Sequence, residues 1–309
     1  MEFITQLLSA ALSSGTPLLF AVGGGILIER SGIIQLGAEG LMLMGAVTAS
    51  LVYIQTGSLL LTLLGSLTVG ALLGLLHAFL CVSLRANQIV SGLALTLFGS
   101  GFSAYLGKSV SGMPLPGSVP RFEIPFLNAI PWIGPVFNNL DLLTWLSFVL
   151  VALATVFVYL TSWGLDLRAV GDNPATADAM GIPVQAFRYG SVIVGSMFIG
   201  LAGADLLLAF SPTWSEGMTA GKGWIAIALV IFARWNPLRA MFCAYFFGAL
   251  DSLGFRMQLL GSTIPSYFLK MIPYLVTILV LMYLGWRNRN KPSGAPEALG
   301  IPYFREQRF

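Results

Sequence analysis

LLFAVGGGILIERSGIIQLGAEGLMLMGA, residues 18–46, consists of an apolar run, a short polar break and a second apolar run rich in small residues. Residues 223–252, GWIAIALVIFARWNPLRAMFCAYFFGALDS, weakly repeat this plan in the second half of the chain. Polar breaks at matching positions in two halves are typical of helices that form a transport path through a membrane. The two stretches therefore predict a membrane protein with a path built from interrupted helices.

The composition of the whole chain supports a membrane location. Of its 309 residues, 56% are hydrophobic and 9% are charged, with a mean hydropathy of +0.83; a soluble domain carries roughly a quarter charged residues. The net charge of +3 is small and dispersed, which excludes nucleic-acid binding. Cys81, Cys243 and the single histidine, His77, lie in apolar runs, so we expect packed side chains and no metal site or disulfide framework.

Runs of roughly 20 mostly apolar residues predict an all-α polytopic membrane helix bundle, formed by residues 1–309 as a single domain. The predicted spans number about nine: 5–28, 36–55, 58–80, 88–107, 141–162, 189–210, 219–233, 236–256 and 265–285. The first run has no basic region before it, so it is a retained helix and not a cleaved signal peptide.

The distribution of Lys and Arg predicts the orientation, because these residues concentrate in cytoplasmic segments. It favours an N-terminus outside the cell and a C-terminus in the cytoplasm. In this topology 108–140 is an external loop, ordered on the membrane surface, with room for a short helix and a docking partner. Lys222 also falls outside, whereas segment 163–188 and the tail 286–309 are cytoplasmic.

Small residues recur at helical spacing along three predicted spans, which indicates helices that approach one another closely in lipid. The sets are Ser66, Gly70, Gly74 and Ala78; Gly99, Ser103 and Gly107; and Ser196, Gly200 and Ala204.

The chain contains no catalytic constellation, so we predict a non-catalytic protein; GKG at 221–223 lacks the spacing of a phosphate-binding loop. Gln35 and Glu39, four residues apart, are predicted to share a helix face and to line a path or gate, with helix capping as the alternative role of Glu39. Trp214 and Glu216 are candidates for a gate at the outer mouth, although an interfacial aromatic belt also explains the tryptophan.

The cytoplasmic segment contains a short, strongly framed helix, in NPATADAMGI at 173–182. Asp172 or Asn173 can cap it, Pro174 suits its first turn, and Gly181 closes it. A helix of about two turns is not stable alone, so it must pack on something. We predict that Asp178, Met180 and Ile182 form an exposed face that docks into a groove on a soluble subunit; the alternative is a loop helix on the bilayer surface.

LDLRAVGDNPATADAMGI, at 165–182, resembles the coupling-helix segment of bacterial ABC importer permeases of the branched-chain amino acid and simple-sugar type. ERSGIIQLGAEGLMLMGA, at 29–46, resembles the nucleoside-uptake sub-branch of that family. The resemblance covers nearly the whole chain and implies that residues 173–182 dock the ATPase. It also implies a second, similar permease, cytoplasmic subunits that bind ATP, and an external BMP-type lipoprotein that binds substrate. Family members often carry Asn where this chain has Gln35, which bears on substrate fit.

Other functions remain alternatives to a nucleoside importer. Related permeases carry simple sugars or other small solutes. A proton-coupled secondary transporter would use the intramembrane carboxylates Glu39, Asp205 and Asp251. A membrane enzyme or scaffold has the least support, because no catalytic set is present.

Overall fold

The computed structural model describes residues 2–122, 134–137, 140–259, 265–287 and 294–305. Its helices are α1 Glu2–Glu29, α2 Ala38–Thr56, α3 Leu59–Ala78, α4 Gln88–Gly107, α5 Gly134–Phe137, α6 Leu142–Leu160, α7 Ser162–Asp172, α8 Pro174–Ala179, α9 Val184–Asp205, α10 Lys222–Phe232, α11 Pro237–Leu259 and α12 Ser266–Arg287. Two π-helical turns, Phe79–Ser83 and Leu206–Phe210, extend α3 and α9. Two short strands, β1 Arg121–Phe122 and β2 Leu140–Asp141, pair antiparallel.

The predicted all-α membrane bundle is confirmed, but the number nine is not. In the part of the chain that the structure describes, six helices are long and apolar enough to cross a membrane: α1, α2, α3, α4, α6 and α9. The predicted span 219–233 corresponds to α10, which has only 11 residues. At about 1.5 Å per residue α10 is ~16 Å long, roughly half of the ~30 Å hydrocarbon layer. Helix α12 has 22 residues, and Pro273 lies inside it.

Helix α1 is the centre of the bundle. In its apolar window 89% of residues are buried, against 28% in α3 and in α4, so α1 is enclosed by protein while α3 and α4 present a lipid-facing side. Its glycines permit this enclosure, because a Cβ on Gly15 would lie only 2.8 Å from the carbonyl oxygen of Ala244 in α11.

The predicted close contacts between small residues are present where α3 crosses α9. A Cβ on Gly70 would lie 2.5 Å from the Ser196 carbonyl oxygen, and one on Gly74 would lie 2.6 Å from the Ser196 Cβ. The Ser66 hydroxyl donates to the Gly45 carbonyl of α2 at 3.0 Å, so small residues join three helices here. Larger side chains would hold these backbones apart.

The bundle has two distinct ends. The loop end holds β1, β2 and residues 108–122, where Ser111 and Pro114 pair with Trp214 and Thr213 of the segment after α9. The tail end holds the end of α1, helices α7 and α8, and residues 294–305, in which the Ala298 N–H donates to the Gly171 carbonyl. Part of the predicted external loop, 123–133 and 138–139, lies outside the described residues; the described part includes α5.

Candidate translocation site at mid-depth

An extended segment, residues 33–37, connects α1 to α2. It leaves the tail end after a turn at Gly32, whose φ of +88° suits glycine. A Cβ on Gly40, in the first turn of α2, would lie 2.5 Å from the Leu95 carbonyl oxygen of α4, so α2 begins well inside the bundle.

The backbone groups of this segment are hydrogen-bonded by polar side chains from neighbouring helices. The Ile34 N–H donates to the Gln88 side chain at 2.8 Å, and the Thr96 hydroxyl donates to the Leu36 carbonyl at 2.9 Å. The His77 Nε2 lies 3.2 Å from the Ile34 carbonyl, and its Nδ1 lies 2.9 Å from Ser91. Since non-helical backbone inside a membrane needs such partners, His77 is a packed, hydrogen-bonded side chain, as predicted.

Gln35 lies in this extended segment, so the prediction that Gln35 and Glu39 share a helix face is wrong. The chain becomes helical only at Ala38, because the backbone groups of Ile34 and Leu36 bond to the side chains of Gln88 and Thr96 and not within a helix. The Gln35 Nε2 donates to the Ser196 hydroxyl at 3.4 Å, and its Oε1 accepts from the Gly37 N–H at 3.2 Å. Gln35 thus ties the segment to α9.

Glu39, in the first turn of α2, caps the N-terminus of a different helix, α10. Its carboxylate accepts hydrogen bonds from the Thr219 hydroxyl at 2.5 Å, the Gly221 N–H at 2.9 Å and the Gly223 N–H at 2.7 Å. A carboxylate at this position satisfies free N–H groups and matches the positive end of the helix dipole. A Cβ on Gly223 would lie 2.5 Å from the Glu39 Cα, so the two helix starts are in direct contact.

The length of α10 gives the depth of this contact. At its other end the Trp235 indole donates to the Glu29 carboxylate at 2.6 Å, next to the tail end of α1. Since α10 is ~16 Å long, Glu39 lies about half a bilayer away from Glu29. The polar break at 29–40 therefore runs from one end of the bundle to its mid-depth.

An ion pair lies beside this contact. The Lys222 ammonium is 2.7 Å from the Asp251 carboxylate of α11, which also accepts from the Ser14 hydroxyl of α1 at 2.9 Å. The Tyr274 hydroxyl of α12 donates to the Ala220 carbonyl at 2.7 Å. Sequence reasoning placed Lys222 outside the membrane and missed this pairing, although one Lys and one Asp in separate apolar stretches were the available signal.

The two outer-mouth candidates do not join this site. Trp214 is buried, with 1% exposure, and its indole packs against the backbone at Gly107, where α4 ends. Trp214 is therefore an internal packing residue of the loop end and does not belong to an aromatic belt at the membrane interface. Glu216 is exposed on the segment that leads down to Thr219.

A small cavity of about 10 Å³ lies between the extended segment, α1, α9 and α10, lined by Glu29, Gln35, Ala38 and Ala226 among others. This volume holds roughly one water molecule. A passage for a solute at this point therefore requires the contacts around Gln35 and Glu39 to open.

Asp205 is the intramembrane carboxylate that the site does not use. It is fully buried in α9, and its oxygens have no hydrogen-bond partner among the described residues. Asp251 and Glu39, in contrast, both take part in hydrogen bonds or an ion pair.

The framed helix α8 has the predicted ends. The Asn173 side chain accepts from the Thr176 N–H at 3.0 Å, with Pro174 at the first helical position. At the other end the Gly181 N–H donates to the Asp178 carbonyl at 2.9 Å and the Ile182 N–H donates to the Ala177 carbonyl at 3.0 Å. This pattern of two bonds around a left-handed glycine closes the helix.

The predicted exposed face of α8 is only partly correct. Met180 is 78% exposed. Asp178, however, pairs with Arg305 of the tail at 3.1 Å, because the chain folds back beneath α8. Ile182 packs against the small cluster formed by Val170 and its neighbours. The free part of this face is therefore Met180.

An all-helical membrane bundle, interrupted at mid-depth and carrying a capped helix at one end, has the architecture of a membrane transport component. A family model described as branched-chain amino acid transport system, permease component, matches residues 6–281. The chain belongs to this permease family. It is thus a non-catalytic, multi-pass subunit of the plasma membrane, and the family implies a separate ATPase and a substrate-binding partner.

Three curated relatives align over nearly their whole length. The chain is 38% identical to a putative glucose ABC transporter permease protein of Haloferax volcanii, with 99% of each chain covered. It is 33% identical to a guanosine ABC transporter permease protein of Bacillus subtilis, covering 100% of this chain and 99% of the relative. A nucleoside ABC transporter permease protein of Lactococcus lactis is 35% identical, with 94% of each chain covered. No solved structure matches the chain.

Proposed function

We propose that this protein is the membrane-spanning subunit of an ATP-driven importer for nucleosides. The tail end lies in the cytoplasm, α8 docks the ATPase, and the solute crosses at the mid-depth contact of α2 with α10. The observation that carries the proposal is α8 itself: a six-residue helix framed at both ends, with an exposed Met180. A soluble partner explains why so short a helix presents a large apolar side chain to solvent.

The docking step is tested by Met180→Asp. This change places a charge in an apolar contact, where an unpaired buried charge is costly. We expect normal membrane insertion, loss of the co-purifying ATPase and loss of uptake. The matched control for ATPase co-purification is Met113→Asp, at a methionine of the loop end that is 48% exposed. Uptake that survives in Met180→Asp with the ATPase still bound would refute docking through α8.

The orientation rests on the arginines that gather at the tail end: Arg30, Arg85, Arg168, Arg188, Arg234, Arg239 and Arg305. Such residues concentrate on the cytoplasmic side. A cysteine at position 115 should react with an impermeant thiol reagent in intact cells, and one at position 295 only after permeabilisation. The reverse result would invert the topology and remove ATPase docking at α8.

The remaining partners belong to the same proposal. They are a second, similar permease that completes the path and an external BMP-type lipoprotein that meets the loop end, where Glu216 is exposed. The nine predicted crossings also belong to this proposal. Affinity purification of the tagged chain from native membranes should recover a distinct permease and the ATPase together. Recovery of this chain as the only permease would replace the heterodimer with a homodimer.

The solute is proposed from two observations. The stretch at 29–46 resembles nucleoside permeases, and two relatives are named for guanosine or nucleosides. A simple sugar is the second candidate, because the glucose-named relative is 38% identical. Uptake of labelled guanosine into cells that express the whole system should be competed by other nucleosides and not by glucose. Competition by glucose alone would select the sugar.

A further inference from the structure

The C-terminal strap, residues 294–305, folds back across the tail end and contacts several separate parts of the bundle. The Gly300 N–H donates to the Gly32 carbonyl at 3.0 Å, where the extended segment starts. The Arg188 guanidinium of α9 donates to the Ile301 carbonyl at 3.3 Å, and the Arg85 guanidinium lies 4.5 Å from the centre of the Phe304 ring. The strap is thus a fixed part of this end of the protein.

The strap ends beside α8. Arg305 pairs with Asp178, two residues before Met180, and the Tyr303 ring packs against the cluster that also holds Ala177. Between these anchors the strap exposes apolar side chains: Ile301 is 55% exposed and Phe304 is 38% exposed. The Arg305 side chain is itself 79% exposed. Any subunit that covers Met180 therefore comes close to the strap.

The size of α8 requires a second surface. A stable protein–protein interface covers roughly 800 Å² on each partner. Helix α8 has six residues and is about 9 Å long, and part of it faces the cluster below, so it cannot supply that area alone. The strap is a neighbouring surface with exposed apolar side chains that is ordered by the fold and joined to α8.

We propose that the C-terminal strap is the second element of the ATPase-docking surface, with Ile301 and Phe304 in contact with the same subunit as Met180. This inference rests on the proposed function. It also gives the docked subunit a direct connection to the transport path, because the strap is hydrogen-bonded to Gly32, from which the extended segment rises to Gln35 and Glu39.

The contact is tested by photo-crosslinking in the assembled transporter. A photoreactive phenylalanine analogue is placed singly at Met180, at Ile301 and, as a control, at Phe122 of the loop end, which is 47% exposed. Both tail-end positions should crosslink to the ATPase subunit and Phe122 should not. Crosslinking from Met180 alone would overturn the strap while leaving the proposed function intact. No ATPase crosslink from either position would remove docking through α8 as well, and crosslinking of Ile301 to lipid would identify a membrane-facing strap.

A substitution tests whether the contact contributes to assembly. Ile301→Asp removes an exposed apolar side chain whose own backbone carbonyl can still accept from Arg188. We expect at least a tenfold loss of co-purifying ATPase, unchanged thermal stability of the permease, and no such loss in Met113→Asp. Wild-type ATPase recovery with Ile301→Asp would contradict the proposal.

Discussion

Two helix starts in this protein are capped in opposite ways. The N-terminus of α8 is capped by Asn173, the residue just before it, through a 3.0 Å bond to Thr176. The N-terminus of α10 is capped by Glu39, which is 184 residues away from Gly223 in the chain. The first cap stabilises one exposed helix, whereas the second holds two helices together inside the bundle. We therefore expect that the local cap can change without disturbing the bundle and that the remote cap cannot.

The largest effect is expected from Glu39→Ala. The change leaves the Gly221 and Gly223 N–H groups and the Thr219 hydroxyl without their acceptor, at roughly 1–3 kcal/mol for each buried group. We expect the midpoint of thermal unfolding in detergent, followed by tryptophan fluorescence, to fall by many degrees. Glu216→Ala, at an exposed carboxylate of the same segment, should leave it unchanged.

Glu39→Gln separates the cap from any further role in transport. The amide keeps one oxygen acceptor but loses the charge, so we expect an intermediate loss of stability and slower uptake. Full stability with no uptake would assign the carboxylate a role beyond capping. Full stability with normal uptake would leave Glu39 without either function.

A smaller effect is expected from Gly223→Ala. The new Cβ would lie 2.5 Å from the Glu39 Cα and 2.7 Å from its carboxylate, so the two helix starts must separate. Overpacking of this kind costs about 1–3 kcal/mol. The control is Gly190→Ala in α9, which has open space around it and should be neutral or slightly stabilising. Equal melting midpoints for the two variants would contradict the close contact.

The two caps also mark what the sequence could predict. The ends of α8 were predictable, because Asn173, Pro174 and Gly181 lie next to the groups they satisfy. The membrane class and the small-residue contacts were also predictable, because composition and helical spacing can be read directly from the sequence.

The mid-depth site was predictable only as a polar break. The sequence predicts Gln35 in a helix. The hydrogen bonds that keep 33–37 out of a helix come from Gln88 and Thr96 on α4, and the local pattern around Gln35 does not reveal them. The pairing of Lys222 with Asp251 and the contact of Arg305 with Asp178 depend on how distant helices pack. The spacing of residues along the chain does not predict which distant residues become partners.

The smallest effect is expected from Asn173→Ala, and it tests the other side of the comparison. Loss of an N-cap oxygen costs about 1 kcal/mol, and α8 has only six residues over which to recover it. Because this helix lies at the tail end, outside the bundle core, the cost should fall on α8 alone. We expect an unchanged melting midpoint of the permease and a roughly fivefold weaker association with the ATPase, which is the equilibrium factor that corresponds to 1 kcal/mol. Asn173→Asp restores an oxygen acceptor and should restore association. If Asn173→Asp is as damaging as Asn173→Ala, the side chain acts through something other than the cap. If Asn173→Ala instead lowers the melting midpoint as far as Glu39→Ala does, α8 unfolds together with the bundle, and the local cap is as structural as the remote one.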